Sequence, residues 1–227
     1  LTASEGAKEV FDPLAVMVVE NEGAQPIVTP VHGWDDSLFL RGKAPMTKQE
    51  VRALAISKLR PEADHIVYDI GAGTGSCSVE LAFQVPYGKV YGFEINEEAA
   101  TLAEANKERF NACNLEIIRG NALEKIVNMP CPDRVFIGGT KGNLKEILDI
   151  LYKKNAYCRI VITAITLETA GAVTAYYKEH TDYELETTQL FASEGRRVGP
   201  YTLMEGHNPV YVMTAYRKEA EYEGQSK

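Results

Sequence analysis

The sequence predicts an α/β fold, a seven-stranded and mostly parallel sheet with helices on both faces. Apolar, β-rich runs alternate with helical patterns from residue 47 to residue 180, which is typical of parallel strands joined by helices. One run, Arg159–Ala164, is nearly all apolar, as a strand buried on both faces should be. The last two runs, Tyr183–Phe191 and Val210–Tyr216, alternate in polarity with no helical pattern between them, so we expect a closing antiparallel pair.

A glycine-rich loop follows the first strand of this predicted domain. The apolar run Ile66–Tyr68 leads into Asp69-Ile70-Gly71-Ala72-Gly73-Thr74-Gly75, and a helix-like segment, Ser76–Gln84, comes next. Glycine tolerates positive φ and close approach of a ligand, and a helix N-terminus offers free N–H groups. Strand, glycine loop and helix together predict a nucleotide-binding βαβ unit; the alternative is an ordinary turn with chance glycines.

The spacing of the glycines differs from Gly-x-Gly-x-x-Gly, the fingerprint of dinucleotide sites. The glycines fall at Gly71, Gly73 and Gly75, and Asp69 stands two residues before the first of them. This pattern resembles the first motif of class I methyltransferases, which have a Rossmann-like fold and use S-adenosylmethionine. In that interpretation Asp69 helps to neutralise the methionine ammonium group, directly or through water.

Three further stretches are predicted to contact such a cofactor. Glu94 ends the second apolar run, at the distance from the glycine loop where an acidic residue binds a ribose diol. Asn121 and Ala122 follow the third strand, where an amide can bond an adenine edge and a small residue leaves room for the ring, unless they form a plain turn. Thr47 precedes the loop, and with Glu50 it matches a helix capping box, which is its structural alternative.

The composition is that of an ordinary globular protein and excludes several classes. Of the 227 residues, 45% are hydrophobic and 25% are charged, and no apolar run is long enough to span a bilayer. The formal net charge of −8 argues against a protein coated with nucleic acid. The first residues lack the basic region of a signal peptide, and the four cysteines are scattered without a Cys-x-x-Cys pair. We therefore expect a reducing, cytoplasmic setting and no structural metal.

The segment from residue 1 to residue 31 does not continue the alternating pattern. Leu14–Glu20 predicts one short strand, and the glycine and prolines that follow indicate a linker. The segment is either the remnant of a preceding domain or an additional edge strand of the main domain. We expect the main domain to span residues 32–217 and a charged, frayed tail to occupy residues 218–227.

Several segments resemble one family, the precorrin methyltransferase and decarboxylase enzymes of cobalamin (vitamin B12) biosynthesis. The similar segments are Gly42–Arg52, Asp69–Ser76, Val135–Gly139 and Asn208–Val210, and the likeness covers residues 32 to 216. The Pro-Met-Thr-Lys and Phe-Ile-Gly-Gly stretches are more diagnostic than the glycine loop. The resemblance implies the class I methyltransferase fold, with S-adenosyl-L-methionine as the cofactor.

The resemblance also implies an activity. The family methylates C15 of a precorrin or cobalt-precorrin tetrapyrrole and removes the carboxylate of the ring C acetate chain, and its members are commonly tetramers. In some organisms the enzyme is fused behind a domain that methylates C5; the chain resembles the C-terminal half of such a fusion, so C5 activity should be absent. The predicted cofactor contacts are Thr47, Asp69, Gly71, Ala72, Gly73, Thr74, Gly75, Glu94, Asn121 and Ala122.

A substrate with many carboxylates requires cationic ligands. The candidates are Arg41, Lys43, Lys48 and Arg52, which precede the glycine loop, and Arg196 and Arg197, expected in a flexible loop between the last two strands. Each of them can also be an ordinary surface charge. Methyl transfer demands no dedicated base, whereas decarboxylation would gain from a positioned acid. No catalytic residue is assigned, and the candidates for that acid are His207, Tyr201 and Glu205, with His32 and Asp35 as further ones.

Three other functions are compatible with parts of the sequence. Some tRNA methyltransferases share the core, but neither a broad basic face nor an RNA-binding extension is evident. A methyltransferase of another small molecule fits the core motifs but not the flanking ones. A methyltransferase-like domain that only assembles with a partner is disfavoured because the cofactor motifs are intact.

Overall fold

The computed structural model describes residues 2–6, 8–16, 18 and 31–218. The chain divides into two compact units, residues 1–30 and 31–227. In the first unit a short helix, α1, spans Ala3–Gly6. The strand expected at Leu14–Glu20 is absent from Leu14–Val16 and from Val18, and its other positions lie outside the described residues, as does the tail beyond Lys218.

Nine strands are present in residues 31–218: β1 Ile66–Ile70, β2 Lys89–Glu94, β3 Leu115–Arg119, β4 Arg134–Ile137, β5 Arg159–Ala164, β6 Tyr183–Leu190, β7 Ser193–Val198, β8 Tyr201–Gly206 and β9 Val210–Arg217. Seven of them form one sheet in the order β3-β2-β1-β4-β5-β9-β6. β1 to β5 run parallel, and β9 is antiparallel to both β5 and β6. The predicted sheet and its closing antiparallel pair are confirmed.

β7 and β8 form a separate hairpin where the sequence analysis expected a flexible loop. The register pairs Val198 with Tyr201, and the turn contains Gly199 at a φ of 59°, which favours glycine. Arg196 and Arg197 therefore lie on a strand rather than in a loop. The expectation was wrong because every residue of β7 is exposed, so no alternation of apolar and polar residues marks this strand in the sequence.

Helices cover both faces of the sheet: α2 Gln49–Leu59, α3 Ser76–Gln84, α4 Glu97–Arg109, α5 Ala122–Lys125, α6 Leu144–Lys154 and α7 Leu167–Glu179. α2, α3 and α4 contribute to one core, and α6 and α7 contribute to the other. Val67 belongs to the first core and Tyr68 to the second, because successive strand side chains point to opposite faces. In the part of the chain with described coordinates, no helix combines the length and the apolar character needed to cross a membrane.

The starts of two helices differ in how they are capped. At α4 the side chain of Asn96 caps the helix, since its Oδ1 accepts a hydrogen bond from the backbone N of Ala99 at 2.9 Å. At α2 the predicted capping box is wrong: the N-cap residue is Lys48, and no side chain caps this helix. Thr47 lies one residue too far from the helix, and its side chain makes a hydrogen bond with the side chain of Cys77 on α3 instead.

Residues 33–48, here called the arm, are tied to the core by a buried ion pair. Arg52 on α2 and Glu80 on α3 are both fully buried, and Arg52 Nε donates to Glu80 Oε1. Glu80 accepts hydrogen bonds from the backbone N of Gly33 and of Trp34. Arg52 donates to the carbonyls of Trp34 and Thr47. Arg52, expected to bind substrate, is therefore a structural residue, since its side chain reaches no surface.

Candidate functional site

A cavity of about 920 Å³ lies at the carboxyl edge of the parallel sheet. Residues that follow β1, β2, β3 and β4 line it, and the arm forms another wall. β1 lies between β2 and β4, so the edge is the switch point at which α/β sheets bind ligands. The predicted site residues that line the cavity are Lys43, Thr47, Lys48, Gly71, Ala72, Gly73, Glu94, Asn121, Ala122 and His207.

Two glycines of the loop are required by close backbone contacts. Gly71 has a φ of 80°, and a Cβ there would lie 2.7 Å from the backbone N of Gly139 after β4. Gly73 has a φ of 57°, and a Cβ there would lie 2.7 Å from the carbonyl oxygen of Pro45 in the arm. A larger residue at either position would push the loop away from a wall of the cavity.

Four N–H groups of the glycine loop, those of Gly71, Ala72, Gly73 and Gly75, already donate hydrogen bonds within the protein. The backbone N of Gly71 and that of Ala72 both donate to the carbonyl of Phe93 at 3.0 Å. The N–H of Gly73 donates to Glu94 Oε2 at 2.8 Å. A phosphate-binding loop instead leaves such groups for the ligand. This loop, with a carboxylate beside it, therefore suits a ligand that carries no phosphate at this point.

Glu94 ends β2 and is held in one orientation. Besides the bond from Gly73, its Oε1 accepts from the backbone N of Asn96 at 2.8 Å. Each carboxylate oxygen can accept more than one hydrogen bond. Glu94 can therefore accept further bonds from a vicinal diol that enters the cavity.

Asp69 does not line the cavity, in contrast to its expected contact with an ammonium group. It is fully buried; its Oδ2 accepts from the hydroxyl of Ser78, and Oδ1 has no hydrogen-bond partner among the residues described. Burial raises the pKa of Asp69 to about 7, and the charge of Glu94 acts in the same direction, whereas the hydrogen bond from Ser78 opposes it. Asp69 is thus a residue beneath the loop whose charge changes near neutral pH.

Thr74 and Gly75 also lie off the cavity. Thr74 is buried, and Gly75 is the N-cap of α3 and packs against Ala103. Asn121 does line the cavity, and its Oδ1 accepts from the backbone N of Leu123 at 3.1 Å. The side-chain amide NH₂ group of Asn121 thereby stays available to a ligand, as the adenine hypothesis requires.

The predicted substrate cations fall into two groups. Lys43 and Lys48, both in the arm, line the cavity. Arg41, Arg196 and Arg197 do not line it, which corrects their expected placement at the site. Arg41 is exposed on the arm, and both hairpin arginines lie on a strand whose residues are all exposed.

Among the candidate acids in the described sequence, only His207 lines the cavity. Its Nε2 lies 3.1 Å from Oε1 of Glu194 on β7, at an angle that does not make a hydrogen bond. The backbone N of His207 donates to the carbonyl of Ala192 at 2.9 Å, next to the first residue pair of the hairpin, Ser193 and Gly206. The position of His207 therefore depends on the hairpin. The candidates that do not line the cavity are Tyr201, Glu205, His32 and Asp35.

The structure adds cavity residues that the sequence analysis did not single out. The loop after β4 contributes Thr140 and Lys141, and the end of β5 contributes Thr163 and Ile165. Their position at the carboxyl ends of β4, which pairs with β1, and of β5, which pairs with β4, is the feature that could have identified them. Gly138 and Gly139, which precede Thr140, were noted in the sequence only as part of the resemblance to the family.

A family model described as the precorrin methyltransferase domain matches residues 38–217. A relative from Pyrobaculum calidifontis, named probable cobalt-precorrin-6B C(15)-methyltransferase (decarboxylating), is 40% identical over 195 residues. The alignment covers 84% of this chain and 98% of that protein.

Two solved structures are similar over most of their length. Precorrin-6y C5,15-methyltransferase from Geobacter metallireducens has a TM-score of 0.78 and 37% identity, and the match covers 84% of this chain and 98% of that one. Precorrin 8w decarboxylase from Methanobacterium thermoautotrophicum has a TM-score of 0.75 and 31% identity, with 80% and 98% covered. The predicted class I methyltransferase fold is confirmed.

The buried carboxyl of Asp69 should make stability depend on pH. The folded state keeps this proton up to about pH 7, whereas the unfolded chain releases it near the ordinary value of 3.8. The resulting stabilisation is present below pH 3.8 and is lost as pH rises toward 7. We expect Asp69→Asn to be more stable than wild type at pH 8, by roughly 3–4 kcal/mol at most, and to differ little at pH 4.

Urea unfolding of both proteins between pH 4 and pH 8 measures this difference. Asp64→Asn, at an exposed carboxylate that precedes β1, is the matched control and should leave the pH profile unchanged. Parallel profiles for Asp69→Asn and wild type would show that Asp69 ionises alike in the folded and unfolded states.

Proposed function

Because this chain belongs to the precorrin methyltransferase family, we propose that it methylates C15 of a precorrin or cobalt-precorrin and removes the carboxylate of the ring C acetate chain, in cobalamin biosynthesis. S-adenosyl-L-methionine is the proposed methyl donor. The observation that carries the proposal is one continuous cavity. It joins a glycine loop whose N–H groups at Gly71, Ala72 and Gly73 are already used, and the oriented carboxylate of Glu94, to walls that carry lysines.

The donor is assigned to the region of β1, β2 and β3. Glu94 would accept hydrogen bonds from the ribose diol, and Asn121 would bond the adenine edge next to the small side chain of Ala122. Thr47 closes this region from the arm. Asp69 would act only from beneath the loop, through the charge that it adds near Glu94.

The acceptor is assigned to the region of β4 and β5. The donor supplies an electrophilic methyl group on sulfur; in the transfer the new bond to C15 forms as the bond to sulfur breaks. Acceptor carbon, methyl group and sulfur must therefore be in line, and holding the reactants in this geometry can supply several kcal/mol of the barrier. Lys43 and Lys48 are proposed to bind carboxylates of the acceptor and so to orient it.

Decarboxylation places different demands on the site. The C–C bond to the carboxylate breaks, CO₂ leaves, the electron pair passes into the macrocycle, and a proton is then added to carbon. His207 is the proposed donor of that proton because it lines the cavity.

Turnover of cobalt-precorrin-6B or precorrin-6B tests the proposed function. Mass spectrometry of the product should show one methyl group gained and one CO₂ lost. A second methyl group is not expected, because we assign C5 methylation to a separate domain that would precede residues 1–31 in a fused enzyme. Donor binding without conversion of either tetrapyrrole would refute the substrate assignment. A second methyl group in the product would refute the assignment of C5 methylation to a separate domain.

Donor binding is tested by calorimetric titration with S-adenosylhomocysteine. Wild type should bind in the micromolar range, and Glu94→Ala should weaken binding tenfold or more, since it removes the proposed acceptor of the diol. Glu97→Ala, three residues on and exposed, is the matched control and should bind like wild type. If wild type and Glu94→Ala bound S-adenosylhomocysteine with equal affinity, Glu94 would not be the acceptor of the diol.

We further propose that the chain assembles into homotetramers through the hairpin. Val198, Tyr201 and Leu203 share one face of it, as the register of β7 and β8 requires, and all three are exposed. Arg196 and Glu205, an ion pair at 3.6 Å, share this face, and exposed apolar side chains on two isolated strands are a typical contact surface. The family resemblance predicted a tetramer, and this proposal adds the surface through which the chains make contact.

Light scattering coupled to size exclusion measures the assembly. Wild type should elute with the mass of a tetramer, and Tyr201→Lys combined with Leu203→Lys should lower that mass because it places charge in the contact. Thr202→Lys, on the opposite face, is the control and should leave the mass unchanged. A monomeric wild type would contradict the proposal.

A further inference from the structure

A second cavity, of about 180 Å³, adjoins the large one beside β4 and β5. The residues that line both cavities are Gly138, Gly139, Thr140, Lys141, Thr163 and Ile165. Because the two share these walls, a side arm of a ligand in the large cavity can reach the small one. The volume of the small cavity is several times the roughly 30 Å³ that one water molecule occupies in the liquid, so a short side arm that ends in a carboxylate fits.

Lys141 supplies the positive charge of this shared wall. Lys141 is exposed and lines both cavities, and within residues 31–218 its ammonium group has no ion pair and no hydrogen bond. Lys48 differs, because its Nζ lies 3.5 Å from Asp36 and is partly neutralised. A cation without a protein partner, facing a concave site, is complementary to an anionic group of a ligand.

The backbone of Lys141 adds a second, independent observation. Its φ is 51°, in the left-handed region, and Gly142 follows at 93°. A lysine is strained in this conformation and a glycine is not. Strain of this kind persists where the surrounding structure or a function requires the side chain, so the presence of lysine here needs an explanation beyond the turn.

Two hydroxyl groups of the small cavity can donate beside Lys141. The Thr169 oxygen accepts from the hydroxyl of Thr166 at 3.1 Å, so its own proton is available. The hydroxyl of Thr140 makes no hydrogen bond to the part of the chain that is described. Thr163 differs, since its hydroxyl is already directed to the carbonyl of Ile137 at 3.4 Å. One cation and two O–H donors match the acceptors of a carboxylate.

We propose that Lys141, with Thr140 and Thr169, forms a subsite for a carboxylate arm of the tetrapyrrole, an assignment that rests on the proposed function. The arm bound here is one that the product retains. A cation beside the departing carboxylate would stabilise the charged reactant and lose that interaction as neutral CO₂ forms, which would slow the reaction. Lys141 therefore determines specificity by orienting the macrocycle.

The test compares Lys141→Gly and Lys141→Arg with wild type. Lys141→Gly should raise the KM for cobalt-precorrin-6B about tenfold or more, because a charge-assisted hydrogen bond is lost. Its affinity for S-adenosylhomocysteine should not change, and its Tm should stay level or rise by up to about 3 °C, because the strain is relieved. Lys141→Arg keeps the charge and should keep KM within about threefold of wild type.

Lys145→Ala, an exposed lysine on α6 that lines neither cavity, is the matched control and should behave like wild type. An unchanged KM for Lys141→Gly in an otherwise active enzyme would overturn the subsite. Faster decarboxylation in Lys141→Gly would overturn the retained-arm assignment, and a lower Tm with weaker donor binding would make Lys141 a structural residue. Failure of the proposed function is distinguishable, because the wild type itself would then convert no tetrapyrrole.

Discussion

The buried ion pair between Arg52 and Glu80 is the interaction on which the cavity depends. Removing two charges from water is costly, and it is tolerated here because both groups are also hydrogen-bonded to the backbone of the arm. The pair fixes Thr47 at one end of the arm and residues 33 and 34 at the other. Pro45 can then lie against Gly73, and the arm becomes a wall of the cavity rather than a surface loop.

The wall of the cavity carries charges of both signs. Two carboxyl groups, Asp69 and Glu94, lie at the glycine loop, and lysines such as Lys43 and Lys141 line other walls. A donor with sulfonium and ammonium charges suits the first region, and an acceptor with several carboxylates suits the second. This arrangement explains how a chain with a net charge of −8 can bind a polyanion, because the local potential of a concave site matters more than the total charge.

The hairpin shows where sequence patterns carry little information. Strands of the main sheet were predicted because one or both of their faces are buried, which leaves apolar runs or alternation in the sequence. β7 has no buried face, so Arg196 and Arg197 were expected in a loop at the site. The same limit applies to Arg52, whose charge suggested a surface ligand, since the partner that buries it, Glu80, lies far along the chain.

The sequence by itself determined the order of the strands of the main sheet and of the long helices between them, the glycine loop and the acid Glu94 at the end of β2. These features are local: periodicity, positive φ and the end of a strand depend on neighbouring residues. Only the tertiary structure decided that Asp69 lies beneath the loop, and that Lys141 shares a cavity with Lys43. The burial and charge environment of a side chain depend on segments that the fold brings together, and spacing along the chain does not encode them.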